Sequence, residues 1–186
     1  MIEGRGKIAM NHKYSAQDIA NYFLYKAQEE AEEDQELISN LKLQKLVYYA
    51  QGLHLAICGE PLFDDAIEAW QYGPVVPTLY HLYKTYGAEG IPIDKNFDSS
   101  KVDDETREFL DEIYELLGQF SAVGLMNMAH SDECWISAGM NNEISHDSMM
   151  NCLKKYLIDT PINHLRDSAW FISSLNIFES HMMLYS

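Results

Sequence analysis

The stretch from Ser39 to Pro61 constrains the fold more than any other part of this chain of 186 residues. Leu43, Leu46, Val47, Ala50, His54 and Ile57 recur at intervals of three and four, the spacing that lines up one face of an α-helix. Ser39 can accept hydrogen bonds from the free amides at its start, and Gly59 followed by Pro61 stops it. A helix of that length with an apolar stripe needs other elements to cover the stripe. The rest of the chain must supply them.

Most of the covering elements also read as helices. Ser15-Ala16-Gln17-Asp18 opens one that carries Ile19, Phe23 and Ala27 on one face. The acidic run Glu29, Glu30, Glu32, Glu33, Asp34 and Glu36 follows it as a solvated helix end or loop. Pro77 suits the first turn of a helix bearing Leu79, Leu82, Tyr83 and Tyr86, which Gly87 ends. Asp103 and Glu105 open another, with Phe109, Ile113, Leu116, Leu117 and Phe120 as its core stripe. Ser121 caps a fifth through Leu125, Met128 and Ala129. Ser145 caps a sixth through Met149, Cys152, Leu153, Tyr156 and Leu157, whose negative end suits Lys154 and Lys155.

Two segments differ. Residues 60–77 are bracketed by prolines and alternate weakly, which predicts a short extended or hairpin segment. Residues 90–100 read as a loop with a short strand at 91–93. The expected architecture is therefore mainly α: a single compact domain of about six helices over 10–160, with a short hairpin segment after the second helix. Ile2-Glu3-Gly4-Arg5 spells a protease-cleavage linker, so 1–9 is read as an expression-tag remnant and Met10 as the native start. Residues 161–186 lose the periodicity and are read as a C-terminal extension of unassigned structure.

Charge and cysteine usage exclude several function classes. With 13 Lys plus Arg against 29 Asp plus Glu, the net charge of -16 repels a phosphate backbone and favours basic protein partners. Direct nucleic-acid binding is not expected. Three widely spaced cysteines imply no disulfide framework and fit a reducing, cytoplasmic setting. No apolar run approaches the length of a membrane-spanning helix. Nor does the chain hold a Gly-rich phosphate loop or a dinucleotide fingerprint.

His54 with Cys58, and His130 with Cys134, each place two zinc-ligand types one helical turn apart. Their position on an apolar stripe and the burial habit of cysteine favour a packing role, so no metal or cofactor is expected. A nucleophile reading would set Cys134 beside His130, Asp132 and Glu133, and only sequence proximity supports it. The chain is not expected to be an enzyme. By contrast, Lys42, Gln44, Lys45, Tyr48, Tyr49 and Gln51 ride opposite the core stripe of the second helix. Lys42, Lys45 and Tyr49 are spaced to share one outward surface, and tyrosine concentrates at interfaces. They are the candidate partner-binding residues.

Leu41-Lys42-Leu43-Gln44-Lys45-Leu46-Val47-Tyr48-Tyr49-Ala50-Gln51-Gly52 resembles the Panacea domain family of GepA-like and SocA-like phage-associated proteins. Gly59-Glu60-Pro61-Leu62-Phe63-Asp64 and Ile67-Glu68-Ala69-Trp70-Gln71-Tyr72-Gly73-Pro74-Val75-Val76-Pro77 extend the likeness, as do Ser121, Leu125 and His130. Where the family has a Pro-Trp pair, this chain has Cys134-Trp135. Gly52, Trp70, Tyr72, Gly73, Pro74, His130 and Trp135 are taken as structural motif residues. The resemblance implies a largely helical domain of toxin-antitoxin pairs and mobile elements. It further implies neutralisation of a protein toxin by direct binding, with SocA-like members also delivering the toxin to a host protease, and no catalytic residues. The rival expectation is an acidic mimic of nucleic acid that occupies a basic nuclease or host-defence protein.

Overall fold

The long helix forms as its caps dictate. Ser39 adopts an extended backbone and its hydroxyl accepts from the Lys42 amide, while Gly59, at φ 77°, closes the other end by donating to the Leu55 carbonyl. This is α2, Asn40–Cys58. In this computed structural model, which describes residues 14–30, 37–94 and 96–159, α2 is the axis of the molecule. Fourteen of its 19 residues are buried, so it is enclosed on both its apolar and its polar face. A one-sided surface helix would leave the polar face wet.

The other elements pack around that axis. Helix α1, Ala16–Glu30, starts in a reciprocal cap: the Asp18 amide donates to Ser15 Oγ, and the Ser15 amide and hydroxyl donate to the Asp18 carboxylate. The strands β1, Glu68–Trp70, and β2, Gly73–Val75, pair antiparallel with Trp70 opposite Gly73, leaving Gln71 and Tyr72 as the two-residue turn. A strip at 141–144 bonds the open side of β1: Asn141 N–H donates to Ala69 O at 2.7 Å, and Ile144 N–H to Ile67 O at 2.8 Å. Helix α3, Pro77–Tyr83, has Pro in its first turn and passes into a 3-10 turn at Lys84–Tyr86. Helix α4, Asp104–Leu117, is capped by Asp103, and α5, Ala122–His130, by Ser121. Helices α6, Glu133–Ala138, α7, His146–Leu153, and α8, Tyr156–Asp159, complete the set. Among the described residues no helix is long and apolar enough to cross a membrane.

The mainly helical fold with its hairpin after the second helix is as expected, and the details depart in identifiable ways. The strand expected at 91–93 does not form; Ile91 N–H instead donates to Ile38 O at 2.9 Å, tying this loop to the residue before the α2 cap. The expected sixth helix is broken after Leu153, at a turn from which Lys155 pairs with Asp132, and α6 arises where none was expected. Leu82 and Phe120, read as core, stand 46% exposed: the inward face of α3 carries Leu79 and Tyr83 instead, and α4 ends before Phe120. The readings of 1–9 and 161–186, and the acidic run over 31–36, fall outside the described residues.

Gly52 is explained by closeness. A Cβ there would lie 2.0 Å from Leu153 Cδ1, at the crossing of α2 and α7, and Leu153 is fully buried. Replacing Gly52 with Ala is therefore expected to destabilise the fold by about 1–3 kcal/mol through overpacking. Urea denaturation reads this directly; an unshifted midpoint would mean that α7 yields freely.

Candidate partner-binding groove and the polar core beneath it

The polar face of α2 points inward and makes specific bonds there. Lys45 has no exposed surface, and its ammonium donates to the Pro74 carbonyl at 2.7 Å. Burial pulls its pKa down from 10.5 to about 7. Gln44 accepts from the Val76 amide at 2.8 Å and donates to Asn40. Gln51 donates to Phe63 O and accepts from Leu62 N–H, both at 2.8 Å. Thus three polar side chains of α2 bond backbone groups of the hairpin, of Val76 just after it and of the loop before it.

The outward surface expected of these residues is not formed. Gln44, Lys45, Tyr48, Tyr49 and Gln51 are all buried, and Lys42 is half-buried with its ammonium on the Gly118 carbonyl. Their spacing does set these residues opposite the apolar stripe, but in this fold that face does not meet water. Here the hairpin, α5, α7 and α8 cover it.

Tyr48 and Tyr49 converge with Tyr156 on one buried carboxylate. Tyr48 and Tyr49 donate to Asp132 Oδ2 at 3.0 and 3.2 Å, Tyr156 donates to Oδ1 at 2.8 Å, and Lys155 pairs with Oδ1 at 2.9 Å. Burial, with the Asp132 charge second, pushes all three phenols well above their ordinary range. Asp132 was weighed from sequence only beside Cys134, and nothing in the sequence announced it as a hub; its partners are 84, 83 and 24 positions away.

Above this polar core the hairpin frames an open groove of about 640 Å³. Asn40 and Gln44 line it from α2, Trp70 and Tyr72 from the hairpin, Tyr80 and Lys84 from α3 and its 3-10 turn, and Met140 and Asn141 from the loop after α6. Tyr72 is 61% exposed and Met140 55%. Trp70 meets Tyr80 edge-to-face at 5.0 Å between centroids, and its indole N–H is held by Glu68 at 2.8 Å. Asn141, at φ 62°, takes a left-handed backbone that asparagine tolerates. Tyr80 and Met140 were not singled out from sequence; Tyr80 lies off the apolar stripe of α3, and that was the available signal.

The remaining motif residues support the hairpin. Gly73, at φ 92°, brings its Cα so close to Lys45 that a Cβ would sit 2.9 Å from Lys45 Cε. Pro74 supplies the carbonyl that Lys45 bonds. His130, ending α5, stacks on Trp135 at 4.4 Å, and the Trp135 indole N–H donates to the Trp70 carbonyl at 3.1 Å. Cys134 occupies the first turn of α6, where amides lack intrahelical partners, so the helix starts without a proline. Its N–H donates to Cys152 Sγ instead.

The zinc ligand pairs do not converge: His54 bonds the Glu60 carbonyl and packs on Phe109, while Cys134 faces Tyr48. Burial lowers the His54 pKa below 6.5. Among the described residues, no three His, Cys, Asp or Glu side chains gather as a metal site.

Residues 43–136 match the family model described as antitoxin SocA-like, Panacea domain. Antitoxin SocA of Caulobacter vibrioides (strain NA1000 / CB15N) is 34% identical over 104 residues, which cover 50% of this chain and 55% of that relative. The chain thus spans about half the length of the curated relative it matches. No solved structure matches.

Proposed function

Because the chain belongs to the SocA-like, Panacea-domain antitoxin family, we propose that it neutralises a cognate protein toxin by direct binding, acting through contact rather than through bond-making chemistry. The observation that carries this reading to a place on the surface is the groove. Trp70, Tyr72, Tyr80 and Met140 expose apolar and aromatic area in one concavity of a chain whose net charge is -16. Aromatic side chains with a polar edge dominate the energetics of protein interfaces. Beneath them, the buried bonds of Lys45 to Pro74 and of Gln44 to Val76 hold the hairpin in place, so these two side chains serve the contact by supporting it, while Tyr48 and Tyr49 secure Asp132 at the start of α6.

A basic toxin surface suits the acidic chain, and residues 161–186 are a second candidate contact. Delivery of the bound toxin to a protease, in a cytoplasmic setting, is the finer form of the same reading. It requires that the groove or its surroundings be shared between toxin and protease.

Tyr72→Ala combined with Tyr80→Ala is expected to weaken the toxin complex by about 2 kcal/mol, roughly 30-fold. The measurement is titration against the product of the neighbouring gene, alongside growth rescue on co-expression. Both side chains are surface groups, so the fold should be unaltered. Full affinity and full rescue in the double variant would remove the groove from the interface.

One observation favours a second reading. Asp104, Glu108 and Glu115 are exposed along one side of α4, a row of charge that could stand in for phosphates against a basic nuclease or host-defence protein. Binding of that kind would weaken steeply with salt and would ignore the Tyr72 and Tyr80 substitutions.

A further inference from the structure

Outside the groove, two thiols meet at the junction of α6 and α7. Cys134 is buried, at 2% exposure, and Cys152 is half-buried. The Cys134 amide donates to Cys152 Sγ at 3.3 Å, so the Cys152 sulfur lies against the residue that carries the other thiol. Both are free. Nothing in the proposed toxin contact uses them.

We infer that Cys152 and Cys134 form a peroxide-reactive site, with Cys152 as the attacking sulfur and Cys134 as the resolving one, which closes into a disulfide joining α6 to α7. The substrate class is a small hydroperoxide, with hydrogen peroxide as the simplest member. In the first step the Cys152 thiolate attacks one peroxide oxygen and the O–O bond breaks. The departing hydroxide takes a proton and leaves as water, and Cys152 becomes a sulfenic acid. In the second step Cys134 sulfur attacks Cys152 sulfur, the S–O bond breaks, and the hydroxide leaves with the Cys134 proton as a second water. Two thiols together lose two electrons and two protons, and one peroxide is reduced to two waters.

The surroundings divide the two roles. Interaction with the Cys134 thiol, together with the Cys134 amide and the Lys155 ammonium, holds the Cys152 pKa below the ordinary thiol value against the opposing effects of burial and of Asp132. Cys134 is held well above the ordinary thiol range, first by that same interaction and then by burial, although the nearby Tyr48 hydroxyl opposes the shift. The outer, half-buried sulfur is thus the one favoured to ionise, and the buried inner one the one that keeps its proton. This is the asymmetry that an attacking and resolving pair requires. Cys58, pushed up to about 12 by burial with Glu105 and Glu60 nearby, is an internal control.

The test uses the full reduced chain exposed to hydrogen peroxide near neutral pH, then denatured and alkylated with N-ethylmaleimide. Of the three thiols, two are expected to disappear, and peptide mapping should join Cys134 to Cys152 while Cys58 remains alkylated. Cys134→Ser should instead stop at a Cys152 sulfenic acid that dimedone traps, and Cys152→Ser should retain both remaining thiols. The rate of thiol loss should rise with pH through about 7. Three alkylated thiols in the treated wild type, or a cross-link through Cys58, would overturn the site. That wild-type map needs no substitution, so a variant that failed to fold would not rescue the inference.

Discussion

Asp132→Ala is expected to cost about 3–5 kcal/mol, a large share of the stability of an ordinary domain. The carboxylate has no exposed surface and accepts three phenolic hydroxyls and one ammonium. Removing it takes a buried carboxylate acceptor from the Tyr48, Tyr49 and Tyr156 hydroxyls, with the weakly accepting Cys134 sulfur still 3.1 Å from Tyr48, and each unmade buried bond costs of order 1–3 kcal/mol. Lys155, whose side chain is 40% exposed, loses its partner but can turn to solvent, so it adds little. Asp132→Asn keeps the shape and one acceptor oxygen and should lose less. Chemical denaturation followed by far-ultraviolet circular dichroism reads both variants. A loss below about 1 kcal/mol for the alanine variant would show that the tyrosines find other partners, and the cluster would no longer be what joins α2 to α6, α7 and α8.

The two faces of α2 differ in how far the sequence reveals them. Periodicity located α2 because a stripe of Leu43, Leu46, Val47 and Ala50 has few alternatives to helix, and its caps are local chemistry that a few residues decide. The hairpin was legible for the same reason, since prolines at 61, 74 and 77 and Gly73 limit the backbone over a short span. Orientation of the polar face was not legible. A lysine followed by two tyrosines reads as surface unless one knows that a carbonyl at Pro74 and a carboxylate at Asp132 wait inside, and both lie far along the chain. The groove suffered the same fate: Trp70 and Tyr72 were marked as motif residues, but their neighbours Tyr80 and Met140 come from separate elements that only folding brings together. Local signals set the elements; long-range pairing set the site.

Lys45 leads to the second large effect, a dependence of stability on pH. In the unfolded chain this lysine titrates at its ordinary 10.5, and in the folded chain at about 7, because its ammonium is desolvated and its partner is a neutral carbonyl. Below about 7 both states hold the proton and the cost of burying the charge is fully present. As pH rises above that value the folded state gives up its proton while the unfolded state keeps it. The unfolded state then binds more protons, so stability climbs with pH until the lysine also titrates there. Between about pH 7 and pH 9 the gain is about 2 kcal/mol from this group alone. Cys152, whose thiol is held at about 7, adds a slope of the same sign, so the informative quantity is the difference between wild type and Lys45→Met. That variant also strands the Pro74 carbonyl, which lowers stability by about 1–3 kcal/mol at every pH and leaves the slope as the discriminating readout. Denaturation midpoints taken at pH values across that window should rise more steeply for wild type than for Lys45→Met. Parallel lines would mean that the ammonium stays charged beneath the hairpin, and that the hairpin is held by an ion in a wetter setting than a fully enclosed lysine implies.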